Sequence, residues 1–215
     1  MVKKNKWKLL ISSIMILLPM VFGLIMWNKL PEQMATHWGA DGNADGWSDR
    51  KFAVFALPIF IFLAHWFCIF CTLKDPKNKN QSNKVLGMVL WICPITSLFA
   101  NGMIYAAAFG KVLDLYVIVY LLAGLFFVII GNYLPKCKQN NMIGIRVKWT
   151  LENEENWNAT HRFAGKWWVI GGVLVMGCSF FPEEISIYIF VVLMAVLAIL
   201  SVGYSYYYFR MKQGR

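Results

Sequence analysis

The sequence predicts an all-α protein that crosses a membrane with six transmembrane helices, and three observations support this fold class. Of its 215 residues, 59% are hydrophobic and only 15% are charged, and the mean hydropathy is +0.52. A soluble chain of this length has no core large enough for that apolar fraction, so the lipid bilayer is the expected partner. Apolar runs of membrane-crossing length recur along the chain. Lysine and arginine are concentrated in alternate connections between these runs.

Each of the six apolar runs is long enough to cross a hydrocarbon core of about 30 Å at about 1.5 Å per residue. The first follows a lysine-rich start and has Trp7 and Trp27 at its ends, where tryptophans anchor spans at the membrane interface. It is long, contains Pro19 and lacks a small-residue cleavage site, so we interpret it as a retained span and not a signal peptide. The predicted spans are residues 9–27, 52–73, 85–109, 113–134, 163–181 and 185–209.

The distribution of positive charge predicts the orientation. On one set of alternate connections, the lysines and arginines are only Lys29, Arg50, Lys51 and Lys111. The positive-inside rule therefore places both termini, and the connection between the fourth and fifth spans, in the cytoplasm of a multi-pass cell-membrane protein. The net charge of +10 is spread between apolar runs, whereas a nucleic-acid-binding protein gathers its basic residues on one face. Direct nucleic-acid binding is not expected.

The segment from Gly131 to Trp168 is the one long polar stretch between spans. Thr150 is predicted to begin a new helix and cap it with its hydroxyl, and three glutamates follow at positions where they complement the helix dipole. These glutamates are Glu152, Glu154 and Glu155. Beyond them, side chains suited to one helical face predict an amphipathic cytoplasmic helix before the fifth span. They are Trp157, His161, Ala164 and Trp168.

This segment resembles the signature of the SdpI family, multi-span bacterial membrane proteins. The pattern runs Gly-Asn, Asn-x-x-Ile-Gly-Ile-Arg, Trp-Thr-Leu, Trp and Thr-His-Arg-x-x-Gly-Lys. Where the family usually has Thr-Pro before the first tryptophan, this chain has Val147-Lys148. The matching residues are Gly131, Asn132, Asn140, Ile143, Gly144, Ile145, Arg146, Trp149, Thr150, Leu151, Trp157, His161 and Lys166.

An earlier part of the chain resembles the N-terminal module often found in the same family. It contains Leu-Pro-Glu at residues 30–32, Thr-His-Trp at 36–38 and Gly-Trp-Ser-Asp-Arg-Lys at 46–51. We therefore divide the chain into an N-terminal module of two spans and an outer loop, a central pair of spans, and a part with the signature loop and the last two spans. These three parts are residues 1–84, 85–134 and 131–215.

The resemblance implies a membrane immunity protein that protects the producing cell against a secreted peptide toxin. It also implies that the toxin-bound form captures a transcriptional repressor, expected to be a cytoplasmic helix-turn-helix protein, at the membrane. The implied partner-binding residues of the signature loop are Asn132, Asn140, Gly144, Arg146, Trp149, Thr150, Trp157, His161 and Lys166. The residues themselves leave an alternative for Arg146, which could pair with one of the three nearby glutamates and hold the loop against the helix start.

The loop between the first two spans carries a calcium-like pattern. Asp41, Asn43 and Asp45 alternate as in the first half of a calcium loop, but position twelve is Phe52 and not glutamate. Runs of this composition also form ordinary turns, so no metal is predicted. His37 could bind a metal or sense pH, and we prefer a hydrogen-bonded loop histidine.

Polar residues within the predicted spans are few. His65 lies in the second span and Asn101 in the third. Such residues mark a proton relay or a toxin contact, or they bond neutrally to a neighbouring helix. Together with Pro19, Pro58 and Pro94, which remove helical hydrogen bonds, they favour the alternative function of a small transporter or channel. The lack of carboxylates or arginine within the spans disfavours this alternative.

No catalytic motif or cofactor-binding motif is present, so neither an enzyme nor a cofactor is predicted. Glu154, Glu155 and His161 could share a helical face and a metal, but a cluster of acids at a helix start explains them better. The five cysteines form no disulfide framework, and the Cys68/Cys71 pair suits apolar packing.

Overall fold

A computed structural model describes residues 2–39, 42–74, 76, 81, 83–111 and 114–213. Asp41, part of the calcium-like pattern, lies outside the described residues. The described part of the chain contains seven α-helices and two short strands. The helices are α1 (Val2–Ile25), α2 (Arg50–Lys74), α3 (Asn83–Ala108), α4 (Leu115–Tyr133), α5 (Lys148–Glu152), α6 (Glu154–Gly177) and α7 (Glu183–Gln213).

Six helices are long and apolar enough to cross a membrane, and α5 is the short one. This confirms the all-α fold class and the number of spans. The apolar segments of these helices are Lys6–Ile25, Arg50–Thr72, Gly87–Ala108, Leu115–Lys136, Glu154–Phe180 and Glu183–Lys212. Many of their large apolar side chains are exposed, as expected of surfaces that face lipid. The chain separates into two compact units, Met1–Lys74 with Leu86–Asp114, and Asp75–Val85 with Leu115–Arg215.

In the first unit, hydrogen bonds tie α1 to α2 and α3. The Ser12 hydroxyl lies 3.0 Å from His65 Nε2, and the Ser97 hydroxyl donates to the Ile16 carbonyl at 2.8 Å. Tyr105 donates its hydroxyl proton to the carbonyl of Pro19 at 2.7 Å. Polar side chains thus connect helices where the apolar surroundings offer no other partner.

The connection between α1 and α2 forms a β-hairpin that the sequence analysis missed. β1 (Gln33–Trp38) and β2 (Ala44–Asp49) pair antiparallel, with Met34 opposite Ser48. Met34 is almost fully buried in a cluster with Leu30 and Val54, which anchors the hairpin to the helices. Arg50 Nη1 donates to the carbonyl of Leu30 at 3.0 Å, so the start of α2 is tied to the chain leading into β1.

In the second unit, α4 and α6 approach each other backbone to backbone at glycines. A Cβ added at Gly172 would lie 2.6 Å from the carbonyl oxygen of Gly124. One added at Gly131 would lie 2.8 Å from the carbonyl oxygen of Gly165. Each helix therefore contributes two glycines seven residues apart, and the lack of side chains there permits the close contact.

Aromatic and polar contacts join α6 to α7. The rings of Phe163 and Tyr204 stack with centroids 4.1 Å apart and an angle of 5° between their planes. Trp168 Nε1 donates to the Ser201 hydroxyl at 3.1 Å.

The start of α6 differs from the predicted one. Thr150 does not begin the long helix. It lies inside the short helix α5, and the chain breaks at Asn153 before α6 begins at Glu154. Asn153 Oδ1 accepts a hydrogen bond from the backbone N–H of Asn156 at 2.8 Å and so caps α6. From there α6 continues without a break through Gly177, so the predicted amphipathic segment and the fifth span are parts of one helix.

Candidate functional site

The signature loop, defined here as residues 137–153, is organised around the buried side chain of Asn140. Its Oδ1 accepts hydrogen bonds from the backbone N–H groups of Met142 and Ile143, both at 2.7 Å. Its Nδ2 donates to the carbonyls of Lys138 at 2.8 Å and Ile143 at 2.9 Å. One amide therefore satisfies four backbone groups in residues 137–147, the part of the loop that forms neither helix nor strand.

Gly144 and His161 hold the next turn of the loop. The Ile145 backbone N–H donates to His161 Nε2 at 3.0 Å, and His161 Nδ1 lies 2.8 Å from the carbonyl of Trp157. This pattern assigns a neutral ring with its proton on Nδ1, because one nitrogen must accept and the other must donate. Gly144 has a φ of +119°, and a Cβ there would meet His161 Nε2 and lie 3.0 Å from the Trp157 ring. Glycine is required on both grounds.

Trp157 lies on α6 and binds the start of the loop to this helix. Its ring is fully buried, stacks on His161 with centroids 4.0 Å apart, and donates from Nε1 to the carbonyl of Cys137 at 2.8 Å. Val85 and Cys137 pack against it. Burial raises the pKa of the Cys137 thiol, an effect that hydrogen bonds from Asn140 and Gln81 partly oppose.

Thr150 shapes the turn into α5. Its hydroxyl accepts from the Val147 backbone N–H at 3.1 Å and lies 2.8 Å from the carbonyl of Ile145. Val147 has the extended backbone that a residue before proline adopts, and Lys148 occupies the first helical position, which suits proline. Lys148 therefore begins α5 at a position that would also accept a proline.

The side chain of Trp149 is partly buried and packs against α7. Its Nε1 donates to the Ser205 hydroxyl, its ring stacks on Phe209 with centroids 5.9 Å apart, and it meets Tyr206 edge-on at 5.4 Å. Asn156 Nδ2 also donates to the Ser205 carbonyl, at 3.0 Å. The loop is thereby attached to the last span.

The remaining predicted loop residues are exposed. Arg146 Nη1 donates to the Asn141 carbonyl at 2.6 Å, and the alternative ion pair of Arg146 with a nearby glutamate does not occur among the described residues. Glu155 pairs with Lys212 instead, with 2.8 Å between Oε2 and Nζ. Asn132 accepts from Lys136 Nζ at 3.2 Å, and Lys166 lies exposed on α6.

His161 offers no free ring nitrogen to the metal site considered for it with Glu154 and Glu155. Both ring nitrogens of His161 are occupied by backbone partners, and no cluster of three or more metal-ligating side chains occurs among the described residues.

The β-hairpin places His37 against Asp45, with 2.5 Å between Nδ1 and Oδ1. Asp45, the third residue of the calcium-like pattern, lies in β2, and one of its carboxylate oxygens contacts this histidine. Asn43 precedes β2, and its carbonyl accepts from the Gly39 backbone N–H at 2.9 Å in the hairpin turn. The preferred prediction of a hydrogen-bonded loop histidine agrees with this arrangement.

His65 and Asn101, the two span residues singled out from the sequence, are both buried. His65 is bonded to Ser12 as described above, and Asn101 Nδ2 donates to the Ser97 carbonyl at 2.8 Å. Asn101 Oδ1 has no hydrogen-bond partner among the described residues. His65 thus contacts Ser12 of α1, and Asn101 contacts Ser97, whose hydroxyl donates to the Ile16 carbonyl of α1.

Comparison with known proteins matches two parts of the chain to family models. Residues 136–205 match the SdpI/YfhL protein family, and residues 14–62 match a domain of unknown function (DUF1648). The chain is also 30% identical over 217 positions to Immunity protein SdpI of Bacillus subtilis (strain 168), with 99% of each chain covered. The chain belongs to the SdpI family. No solved structure matches it significantly.

Membership of the SdpI family confirms the resemblance drawn from the signature loop and from the N-terminal module. The protein has six membrane-crossing helices and is therefore a multi-pass membrane protein. The descriptions of the SdpI/YfhL family and of Immunity protein SdpI do not name an enzyme.

Sequence reasoning missed several residues that build the loop. Gln139 Nε2 donates to the carbonyl of Thr150 at 2.8 Å, and Gln81 exchanges two hydrogen bonds with the backbone of Lys138. Gln81 lies 56 residues before Cys137, and no local pattern marks it as a loop partner.

Proposed function

We propose that this protein protects the cell that carries it against a secreted peptide toxin that acts at the membrane. The observation that carries the proposal is the similarity to Immunity protein SdpI, 30% identical across 99% of both chains. Shared hydrophobicity alone does not account for this similarity, because the SdpI match also includes the polar loop with Asn140, Gly144 and His161.

The proposal includes an orientation in the cell membrane. Both termini and the signature loop face the cytoplasm, because most lysines and arginines fall on that side and an even number of spans returns the chain to it. The toxin then meets the outer hairpin or the spans first, and the signature loop is available to a protein inside the cell.

We further propose that the toxin-bound form captures a cytoplasmic helix-turn-helix repressor at the signature loop. Asn140, Thr150, Trp157 and His161 are buried, so they act by holding the loop in shape. Direct contact falls to the exposed residues, of which Arg146 offers a planar set of donors suited to carboxylates of a partner.

A survival experiment tests the immunity role. Cells lacking the gene, and the same cells expressing the protein, are exposed to the purified toxin and, as a control, to an unrelated pore-forming peptide. Expression should restore growth with the toxin and leave sensitivity to the control peptide unchanged. Equal sensitivity to the toxin with and without the protein would refute the proposal.

The repressor role needs its own variant. Arg146→Ala should leave protein level and toxin resistance intact and abolish recruitment of the repressor to membranes, measured by fractionation. Lys148→Ala is the matched control, since it removes one exposed positive charge two residues further along the same loop. Loss of protein accumulation in Arg146→Ala would assign this arginine to loop folding instead.

A small transporter or channel is the second candidate, and the buried polar residues of the first unit favour it. His65 and Asn101 lie within spans, and the Oδ1 atom of Asn101 lacks a partner among the described residues. Proton and cation flux in proteoliposomes should be at background level if the immunity proposal is right. Flux abolished by His65→Ala or Asn101→Ala would favour transport.

A further inference from the structure

A polar cavity of about 440 Å³ opens where the ends of three helices meet in the second unit. Glu155, Asn158 and Arg162 line it from one face of α6, at helical spacings of three and four residues. Tyr208 and Lys212, one turn apart on α7, form the opposite wall, and Pro135 closes the end beyond α4.

The cavity lining carries an excess of positive charge, with Arg162 and Lys212 against Glu155. Lys212 pairs with Glu155, which neutralises the carboxylate that would otherwise repel an anion. Arg162 is exposed and has no hydrogen bond or ion pair with another residue in the described part of the chain. With the amide of Asn158 and the hydroxyl of Tyr208 beside it, its guanidinium supplies a fork of donors that matches the oxygens of a phosphate group.

Neighbouring side chains place the cavity at the level of lipid headgroups. Tyr206 and Tyr207 lie exposed next to it on α7, and Trp167 lies exposed five residues after Arg162 on α6. Tyrosine and tryptophan at the ends of spans mark the boundary between membrane and water. Basic pockets between spans at this level bind phosphate-bearing headgroups of anionic lipids. We propose that the cavity binds the phosphate group of an anionic phospholipid, with Arg162 as its main contact.

Thermal unfolding of the purified full-length protein in detergent tests the proposal. Added phosphatidylglycerol should raise the apparent Tm, and phosphatidylcholine should not, because a ligand of the folded state stabilises it. Arg162→Gln should need about tenfold more phosphatidylglycerol for half the effect, since a charged hydrogen-bonding partner is lost. Arg210→Gln is the matched control. It removes the same charge from α7, the helix that carries Tyr208 and Lys212, but Arg210 lies two residues from both of them and so points away from the cavity.

The lipid proposal is overturned by any of three results. These are an equal response of Arg162→Gln and the unchanged protein, an equal loss in Arg210→Gln, and a Tm increase with phosphatidylcholine as large as that with phosphatidylglycerol.

A further measurement replaces the lipid with inorganic phosphate at millimolar concentration. If phosphate alone reproduces the shift and blocks the lipid effect, the cavity is a site for free phosphate and not for lipid. Should Arg162→Gln not accumulate, Tyr208→Phe, which removes one hydroxyl donor, is expected to weaken the lipid response in the same assay. No toxin enters this experiment, so its outcome is independent of the immunity proposal.

Discussion

The contact between α4 and α6 predicts a large effect from a single methyl group. In Gly172→Ala, the new Cβ would lie 2.6 Å from the carbonyl oxygen of Gly124 and 2.7 Å from the backbone nitrogen of Val128. Ordinary contacts of a Cβ begin at 3.4 Å. Both neighbours are backbone atoms of a helix and cannot rotate away, so the two helices must separate.

The size of the effect follows from that separation. A gap of about 0.5–1 Å costs roughly a quarter to a half of each dispersion contact along the interface. Overpacked substitutions of this kind destabilise by about 1–3 kcal/mol. For a chain of this size, the apparent Tm should then fall by about 2–12 °C.

Thermal unfolding in detergent, followed by tryptophan emission, measures this shift. Gly203→Ala is the matched control, because Gly203 also lies inside a spanning helix but a Cβ there meets no atom within 4 Å. It should leave the Tm unchanged or raise it, since alanine favours a helix over glycine by about 0.5–1 kcal/mol. The double variant of Gly124 and Gly172 should fall less than the sum of the two single effects, because both methyl groups separate the same pair of helices. A Tm for Gly172→Ala at or above that of Gly203→Ala would refute the reasoning.

Three further predictions concern the loops. Asn140→Ala should lower the free energy of unfolding by about 2–5 kcal/mol, because two partly buried backbone N–H groups lose their acceptor and two carbonyls lose their donor. Asn140→Asp should not rescue it, since the carboxylate cannot donate to the two carbonyls; chemical denaturation of both variants measures this. At pH 8, Cys137 should react with a maleimide roughly tenfold or more slowly in the folded protein than after unfolding, because its burial limits access and its raised pKa leaves less thiolate; equal rates would contradict the buried position. Millimolar calcium followed by chelator should leave the Tm unchanged, because Asp45 is engaged by His37, and a chelator-sensitive shift would instead establish a metal site in the outer loop.

Much of the fold was predictable because membrane spans have a strong local signal. A run of about 20 apolar residues identifies a spanning helix whatever it packs against, and all six were found. The β-hairpin between α1 and α2 escaped prediction because the residues of Ala44–Asp49 are mostly poor strand formers, and because Met34 of β1 is buried against helices. Its detection needed a long-range contact that no local pattern contains.

The start of α6 shows how a correct residue type can be assigned to the wrong place. Thr150 and Asn153 are both good helix caps, and sequence alone does not rank them. In the structure the Thr150 hydroxyl is engaged with the backbone of Val147, and Asn153 caps α6.

The glycine contact between α4 and α6, by contrast, has a recognisable pattern in the sequence. Two glycines seven residues apart occur in both α4 and α6, and this spacing predicts a shared seam in neighbouring spans.

The signature residues divide into two groups with different meanings. Asn140, Thr150, Trp157 and His161 are buried and bonded within the second unit, so substituting any of them disturbs the loop whether or not a partner exists. Loss of function in such variants therefore cannot identify a contact surface. Arg146 is exposed and holds only a loop carbonyl, so its removal alters the surface at a smaller cost to the fold. A partner of this loop is consequently identified by variants of exposed residues that accumulate normally, and the buried residues set the shape that the partner meets.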